Sequence, residues 1–344
     1  MIIEAVPEFV YFCCMTDDRQ VCLAHRYEDI ISLVNLLSAW REFHRGKGKK
    51  RDVQEFQQNL FDNILVLRLD LSRKSYIHGS YYAFNISDPK PRNIHKATVR
   101  DRLLHHAIYQ ILYPLFDRKF IADSFSCRKN KGTHKALERF RKLAYKASRN
   151  NTRTLWVLKC DIQKFFASID HRALMEILRR DILDTDAVWL VGQVVSSFCS
   201  EPGKGLPLGN LTSQLLVNVY LNEFDQFIKH EMKEKYYIRY ADDFVIMNSN
   251  RGELENLVPL FRKFLSNRLR LTLHSEKLSI RTLASGVDFL GWVHFPNHRV
   301  LRTATKKRMF RNLQKKPKLA TVESYLGMLT HGNTHKLRQK LKIF

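Results

Sequence analysis

Acidic residues are scarce in this chain. Its 344 residues include 34 Asp and Glu against 58 Lys and Arg, for a formal net charge of +24. The excess is spread along the chain and not confined to a tail, which points to a globular protein that meets a polyanion. Long apolar runs are also missing. No stretch reaches the ~18 residues of a membrane span, so no membrane role is expected. The first fifteen residues are apolar but carry Glu4, Pro7 and Glu8, with no basic start and no small-residue cleavage site, so they are not expected to be a secretory signal. Cysteine is sparse at positions 13, 14, 22, 127, 160 and 199, without a CxxC pair. His105-His106 has no partner at metal-ligand spacing. A structural zinc is thereby set aside, and free thiols in a reducing cytoplasm are expected. A hydrophobic content of 44% is ample for a packed core, and the length suits one large or two ordinary domains.

What is present centres on Tyr240-Ala241-Asp242-Asp243. Tyr236, Tyr237 and Ile238 lead in, and Phe244, Val245, Ile246 and Met247 lead out, a strand–turn–strand pattern with two carboxylates at the tip. Adjacent like charges repel, and a hard divalent cation such as Mg²⁺ removes that cost. An isolated Asp-Asp is more often an ordinary solvated turn. Asp17-Asp18, which lacks strand flanks, reads that way. The hairpin pair differs because a third carboxylate, Asp161, ends the apolar run from Thr154 to Cys160. Carboxylates on rigid elements are what two-metal phosphoryl transfer requires.

Asp161 through Asp170 resembles motif A of reverse transcriptases, and Tyr240 to Asp243 resembles their motif C. Further blocks in family order extend the resemblance over about residues 85–295. The stiff Asp88-Pro89-Lys90-Pro91-Arg92 segment is similar to the fingers stretch whose Lys and Arg hold the incoming nucleotide, which implies that role for Lys90 and Arg92. Ser124 to His134 matches a fingers block of group II intron-like enzymes, with Arg128 and Lys131 suited to a nucleic-acid backbone. Leu206 to Gln214 resembles motif B and implies nucleotide contacts at Leu208, Gly209 and Gln214. The family usually carries Gln where Leu208 stands, and Ser-Pro where Ser213-Gln214 stands. These departures resemble the diversity-generating retroelement branch and allied bacterial groups, and Leu221 to Asp225 fits that branch. Lys277 follows a motif D-like helix and strand, and Val287 to Trp292 is similar to the primer-grip hairpin.

The resemblance implies an α+β right-hand polymerase. Its expected parts are an N-terminal helical extension over 1–70, fingers over 71–150, a palm over 151–296 with an insertion near 185–205, and a small basic helical thumb over 297–344. Expected strands lie at 154–160, 236–240, 244–248, 271–273 and 288–294, with strand-like character from Tyr76 to Ile86. Helices are expected over 26–43 and 53–70, and from about residue 99 to near Pro114. The resemblance further implies that Asp161, Asp242 and Asp243, with the backbone at Ile162, hold two Mg²⁺ ions (Mn²⁺ can substitute). It implies that Lys277 is a general acid and that Phe166 excludes the 2′-hydroxyl. Tyr240, Leu290 and Gly291 would lie along nucleic acid. The implied partners are a template RNA, a primer or cDNA strand, deoxynucleotides and a small basic accessory protein, in a bacterial or phage-encoded system. Three roles stay open: a mutagenic retroelement enzyme, an antiphage-defence reverse transcriptase with its own noncoding RNA, and a non-catalytic RNA-binding protein.

Overall fold

The computed structural model describes residues 26–87, 91–314 and 319–341. Lys90 with Asp88 and Pro89, the N-terminal apolar segment, Asp17-Asp18 and the first three cysteines lie outside the described residues. In chain order the elements are α1 Tyr27–Ile31, α2 Leu33–His44, α3 Arg51–Gln58, α4 Leu60–Ser72, β1 Tyr82–Ile86, β2 Arg92–Lys96, α5 Val99–Lys119, α6 Thr133–Ala147, β3 Trp156–Asp161, α7 Phe165–Ser168, α8 His171–Asp181, α9 Thr185–Ser196 and α10 Leu211–Gln226. A π-helical turn, Phe227–Glu231, is followed by β4 Tyr237–Tyr240, β5 Asp243–Asn248, α11 Arg251–Leu269, β6 Ser279–Thr282, β7 Val287–Phe289, β8 Trp292–His294, β9 Arg299–Leu301, α12 Thr303–Leu313, α13 Leu319–Leu329 and α14 His335–Leu341. The described residues form two compact units, divided as those within 1–119 and 170–219 and those within 120–169 and 220–344.

In the first unit each expected N-terminal helix is two. Ser32 leaves helical geometry at ψ 143, and its hydroxyl accepts from the Asn35 amide, capping a new helix. The break rotates the buried face onto Leu36, Ala39, Trp40 and Phe43 and leaves Val34 exposed. Asn59, at φ −119 and ψ 45, divides α3 from α4. The helix expected to stop near Pro114 runs on to Lys119. A proline inside a helix costs ~3 kcal/mol. Leu112, Tyr113, Leu115 and Phe116 are all buried around it, at ~1.5–3 kcal/mol for each large apolar side chain, so packing outweighs the lost hydrogen bond. Only 82–86 of the strand-like Tyr76–Ile86 stretch is a strand, paired antiparallel with β2.

The second unit is built on a four-stranded antiparallel sheet in the order β4-β5-β3-β6. β3 and β5 are central, and Val157, Leu158, Phe244, Val245 and Ile246 are all buried, as befits strands covered on both faces. One core cluster holds Phe140 of α6 with Val157, Val245, Met247 and Phe289, the two Phe rings stacked at 5.4 Å. A second aromatic group joins Phe224, Phe244 and Phe261 edge to face. The fourth strand is Ser279–Thr282; the expected strand at 271–273 contributes a single bridge, Leu273 to Ile162. β7, β8 and β9 form a separate meander. Trp292 of β8, Met309, Leu313 and Leu329 are packed with Tyr325, Leu326 and Met328.

Candidate active site

The Tyr240–Asp243 hairpin is as tight as the sequence pattern suggested. Tyr240 pairs with Asp243, leaving Ala241 and Asp242 as the two turn residues. Ala241 lies at φ 55, the left-handed side that a two-residue hairpin of the primed kind requires at its first central position. A non-glycine residue held there carries ~1–3 kcal/mol of strain, stored at the tip of the site.

Register then assembles the carboxylates. β3 and β5 pair so that Asp161 lies directly across from Asp243. The Ile162 amide donates to the Asp242 carbonyl at 3.3 Å, which ties the turn to the end of β3. On the other side of β3, the His274 amide donates to the Asp161 carbonyl at 2.8 Å and the Gln163 amide to the Thr272 carbonyl at 2.9 Å. That connection carries Lys277 to within 2.7 Å of Asp161 Oδ1. Lys159, two residues before Asp161 and on the same face of the strand, reaches Asp243 Oδ2 at 3.5 Å and donates to the Asp288 carbonyl at 2.7 Å.

These charges act on one another. Burial pushes the Asp243 carboxyl up to about 7; Lys159 opposes the shift, and the charges of Asp161 and Asp242 add to it. Asp243 Oδ1 is buried and accepts no hydrogen bond. Two cross-strand carboxylates, one of them carrying the orphaned oxygen, and a third on the adjoining turn are all-oxygen donors, the chemical type that suits a hard divalent cation. Among the described residues no group of three acidic, His or Cys side chains is placed to hold a metal ion as it stands. Here the lysines supply the neutralising charge, and a metal at Asp161 would take the place of the Lys277 ammonium.

Other expected residues of the second unit lie as follows. Phe165 is buried and Phe166 half-buried on α7, with their rings edge to face at 5.7 Å. Tyr240 is half-buried, and its hydroxyl accepts from Thr133. Leu290 and Gly291, at φ 51 and 84, are the two turn residues between β7 and β8. Arg128 donates to the Ile121 and Ser124 carbonyls and lies over the Phe120 ring, while Lys131 donates to the Ala122 carbonyl. Both cations thus brace their own loop.

In the first unit, Arg92 is exposed on β2. The β1–β2 hairpin is joined to the Leu208–Asn210 loop: the His95 amide donates to the Leu208 carbonyl at 3.0 Å, and Asn210 Nδ2 to the His95 carbonyl at 2.9 Å. Gly209 lies at φ +106, and a Cβ there would meet Ile94 at 2.8 Å, so only glycine fits. Leu208 is half-buried, and Gln214 lies in the first turn of α10.

Sequence reasoning missed Lys159 and the buried pair of Asp225 and Arg239. Lys159 was accessible by strand alternation from Asp161. Arg239 was accessible as a charge inside an apolar strand, since a buried charge needs a partner.

A family model described as "Reverse transcriptase (RNA-dependent DNA polymerase)" matches residues 87–294. Protein YkfC of Escherichia coli K12 is 27% identical over 288 residues, covering 70% of this chain and 73% of YkfC. The group II intron-encoded protein LtrA of Lactococcus lactis subsp. cremoris is 23% identical, covering 66% of this chain and 47% of LtrA. The chain therefore spans about half the length of LtrA. Among solved structures, apo telomerase from Candida tropicalis, truncated from its C-terminal domain, aligns with a TM-score of 0.50 at 13% identity. That alignment covers 66% of this chain and 55% of the telomerase chain, and it is a likeness of fold.

Proposed function

This chain belongs to the reverse transcriptase family and has the right-hand polymerase fold, and we propose that it is an RNA-directed DNA polymerase acting on a dedicated template RNA. The observation that carries the proposal is the register setting Asp161 across from Asp243, with Asp242 at the adjoining turn. Asp161, Asp242 and Asp243, with the Ile162 backbone, would hold Mg²⁺, which when bound lowers the pKa of the primer 3′-hydroxyl and stabilises the leaving pyrophosphate. Lys277 is the candidate proton donor to that pyrophosphate. Lys90 and Arg92 would offset triphosphate charge, and Phe166 would abut the sugar. Leu208, Gly209 and Gln214 would line the nascent base pair. Arg128, Lys131, Tyr240, Leu290 and Gly291 would follow the nucleic-acid strands. The proposed parts remain an N-terminal extension over 1–70, fingers over 71–150, a palm over 151–296 and a thumb over 297–344.

RNA binding by such a basic protein is strongly salt-dependent, because neutralised phosphates release counterions. The Arg45–Arg51 loop between α2 and α3 offers exposed Lys49 and Lys50. Lys47 is committed elsewhere: its ammonium donates to the Phe43 carbonyl at 2.9 Å and lies over the Phe43 ring. Reversing Lys49 and Lys50 to Glu lowers the slope of log K against log salt by about 1.4, taking ~0.7 per single-strand phosphate contact. An unchanged slope in a filter-binding titration would make this loop a solvated linker.

The biological role we propose is mutagenic copying in a diversity-generating retroelement, with a small basic accessory protein as partner, in a bacterial or phage cytoplasm. The support is Leu208. A Gln at this place can hydrogen-bond beside the nascent pair; Leu cannot. One net hydrogen bond is worth ~1 kcal/mol, and each ~1.4 kcal/mol is tenfold in selectivity. Deep sequencing of cDNA from a defined RNA tests both levels of the proposal. The parent makes cDNA with frequent errors concentrated at template adenines, and Leu208→Gln lowers them about fivefold, as ~1 kcal/mol implies. Absence of any cDNA contradicts the polymerase; low, evenly spread error in both proteins leaves the defence role ahead.

A further inference from the structure

Beneath the catalytic turn lies an ion pair that the chemistry above does not use. Arg239 is the third residue of β4 and is 1% exposed; its partner Asp225, on α10, is 0% exposed. The pairing is bidentate, Nε to Oδ1 at 2.8 Å and Nη2 to Oδ2 at 2.6 Å. The Tyr237 hydroxyl also donates to Asp225 Oδ1, at 2.6 Å. The remaining terminal nitrogen, Nη1, donates to the carbonyl of Ala241 at 3.1 Å. Arg239 is fixed along its backbone as well. Its amide donates to the Asp123 carbonyl at 2.9 Å, its carbonyl accepts from the Phe125 amide at 3.0 Å, and it pairs with Phe244 across the hairpin.

We propose that Arg239, held by Asp225, is a positioning residue for polymerisation: it fixes the Ala241–Asp242 peptide and thereby the direction in which Asp242 and Asp243 present their carboxylates. The inference rests on the polymerase reading. Stability alone does not account for the pair. Burying two charges forfeits their hydration, and apolar residues of similar volume commonly do as well or better. A guanidinium adds a planar fork that satisfies two carboxylate oxygens and a third acceptor at once. That third acceptor belongs to the one turn residue held at positive φ, immediately before the metal-binding carboxylates. The Ile162 amide holds only the carbonyl that follows Asp242, so without Arg239 the peptide that precedes it could rotate and turn Asp242 relative to Asp161.

Two variants separate positioning from support. Arg239→Lys keeps the charge but has no fork to span Asp225 and the Ala241 carbonyl together. The triple variant Tyr237→Phe, Asp225→Leu, Arg239→Met removes every polar member of the network and refills the space. For each, thermal unfolding reports the fold. Electron paramagnetic resonance reports Mn²⁺ binding to the protein without nucleic acid, and steady-state extension separates kcat from KM for template–primer. Positioning predicts variants that unfold near the parent temperature, a Mn²⁺ half-saturation raised at least fivefold, kcat lowered at least thirtyfold and KM for template–primer unchanged. A folded variant with parental Mn²⁺ half-saturation and kcat overturns the proposal. So does failure of both variants to fold, which would make the pair a stability element. A parent that binds Mn²⁺ but extends no primer would sink the polymerase reading instead, and the Mn²⁺ comparison among variants would still judge Arg239.

Discussion

Asp161→Ala and Asp242→Asn each abolish RNA-templated primer extension while leaving the protein folded. Metal-ion stabilisation of a phosphoryl-transfer transition state supplies several kcal/mol, and ~4 kcal/mol is a thousandfold in rate. The fold should tolerate both changes. The Asp161 partner, Lys277, is 46% exposed, and pairs this open contribute little, ~0–1 kcal/mol. Removing either charge also relieves the crowding of anions that, together with burial, raises Asp243. The check is single-turnover extension beside a thermal melt. Loss of activity with an unchanged melting temperature supports the site; extension at the parental rate by either variant removes it.

The second large effect belongs to α7. Phe166→Ala lowers discrimination against ribonucleotides by tenfold or more, equivalent to ~1.4 kcal/mol, by opening space beside C2′. Its neighbour is the control. Phe165 is 3% exposed and belongs to the core, so Phe165→Ala costs ~3–5 kcal/mol of stability and leaves sugar selectivity alone. The measurement is kcat/KM for a ribonucleotide against its deoxy counterpart. Equal ratios in parent and Phe166→Ala would move the gate elsewhere in the chain.

The carboxylates were readable because their signal is local. A tight hairpin needs only strand formers, a two-residue turn and more strand formers, and Tyr236 to Met247 contains all three. The resemblance singled out Phe166, whereas the place of its neighbour Phe165 in the core comes only from burial. Elements decided by distant packing were not readable. Pro114 looks like a helix end until Leu115 and Phe116 are seen to be buried beyond it. Ser279–Thr282 is four residues long, and it becomes a strand by pairing with β3, whose residues 156–159 lie 120 to 126 positions earlier in the chain. Asp225 and Arg239 are 14 positions apart on a helix and a strand, a juxtaposition that no sequence period encodes. Lys277 was assigned by family position, and its contact with Asp161 emerges only from the 272–274 connection.

RNA-directed DNA synthesis from the carboxylates at the ends of β3 and β5 is the proposal on which the other roles depend. Its most direct test is extension of a labelled primer on a defined RNA template by the purified full chain, with deoxynucleotides and Mg²⁺, run beside Asp242→Asn. Full-length cDNA is expected from the parent, suppressed by a chelator, and none from the variant. Extension by both proteins, or by neither when the parent is folded and binds the template, would contradict it.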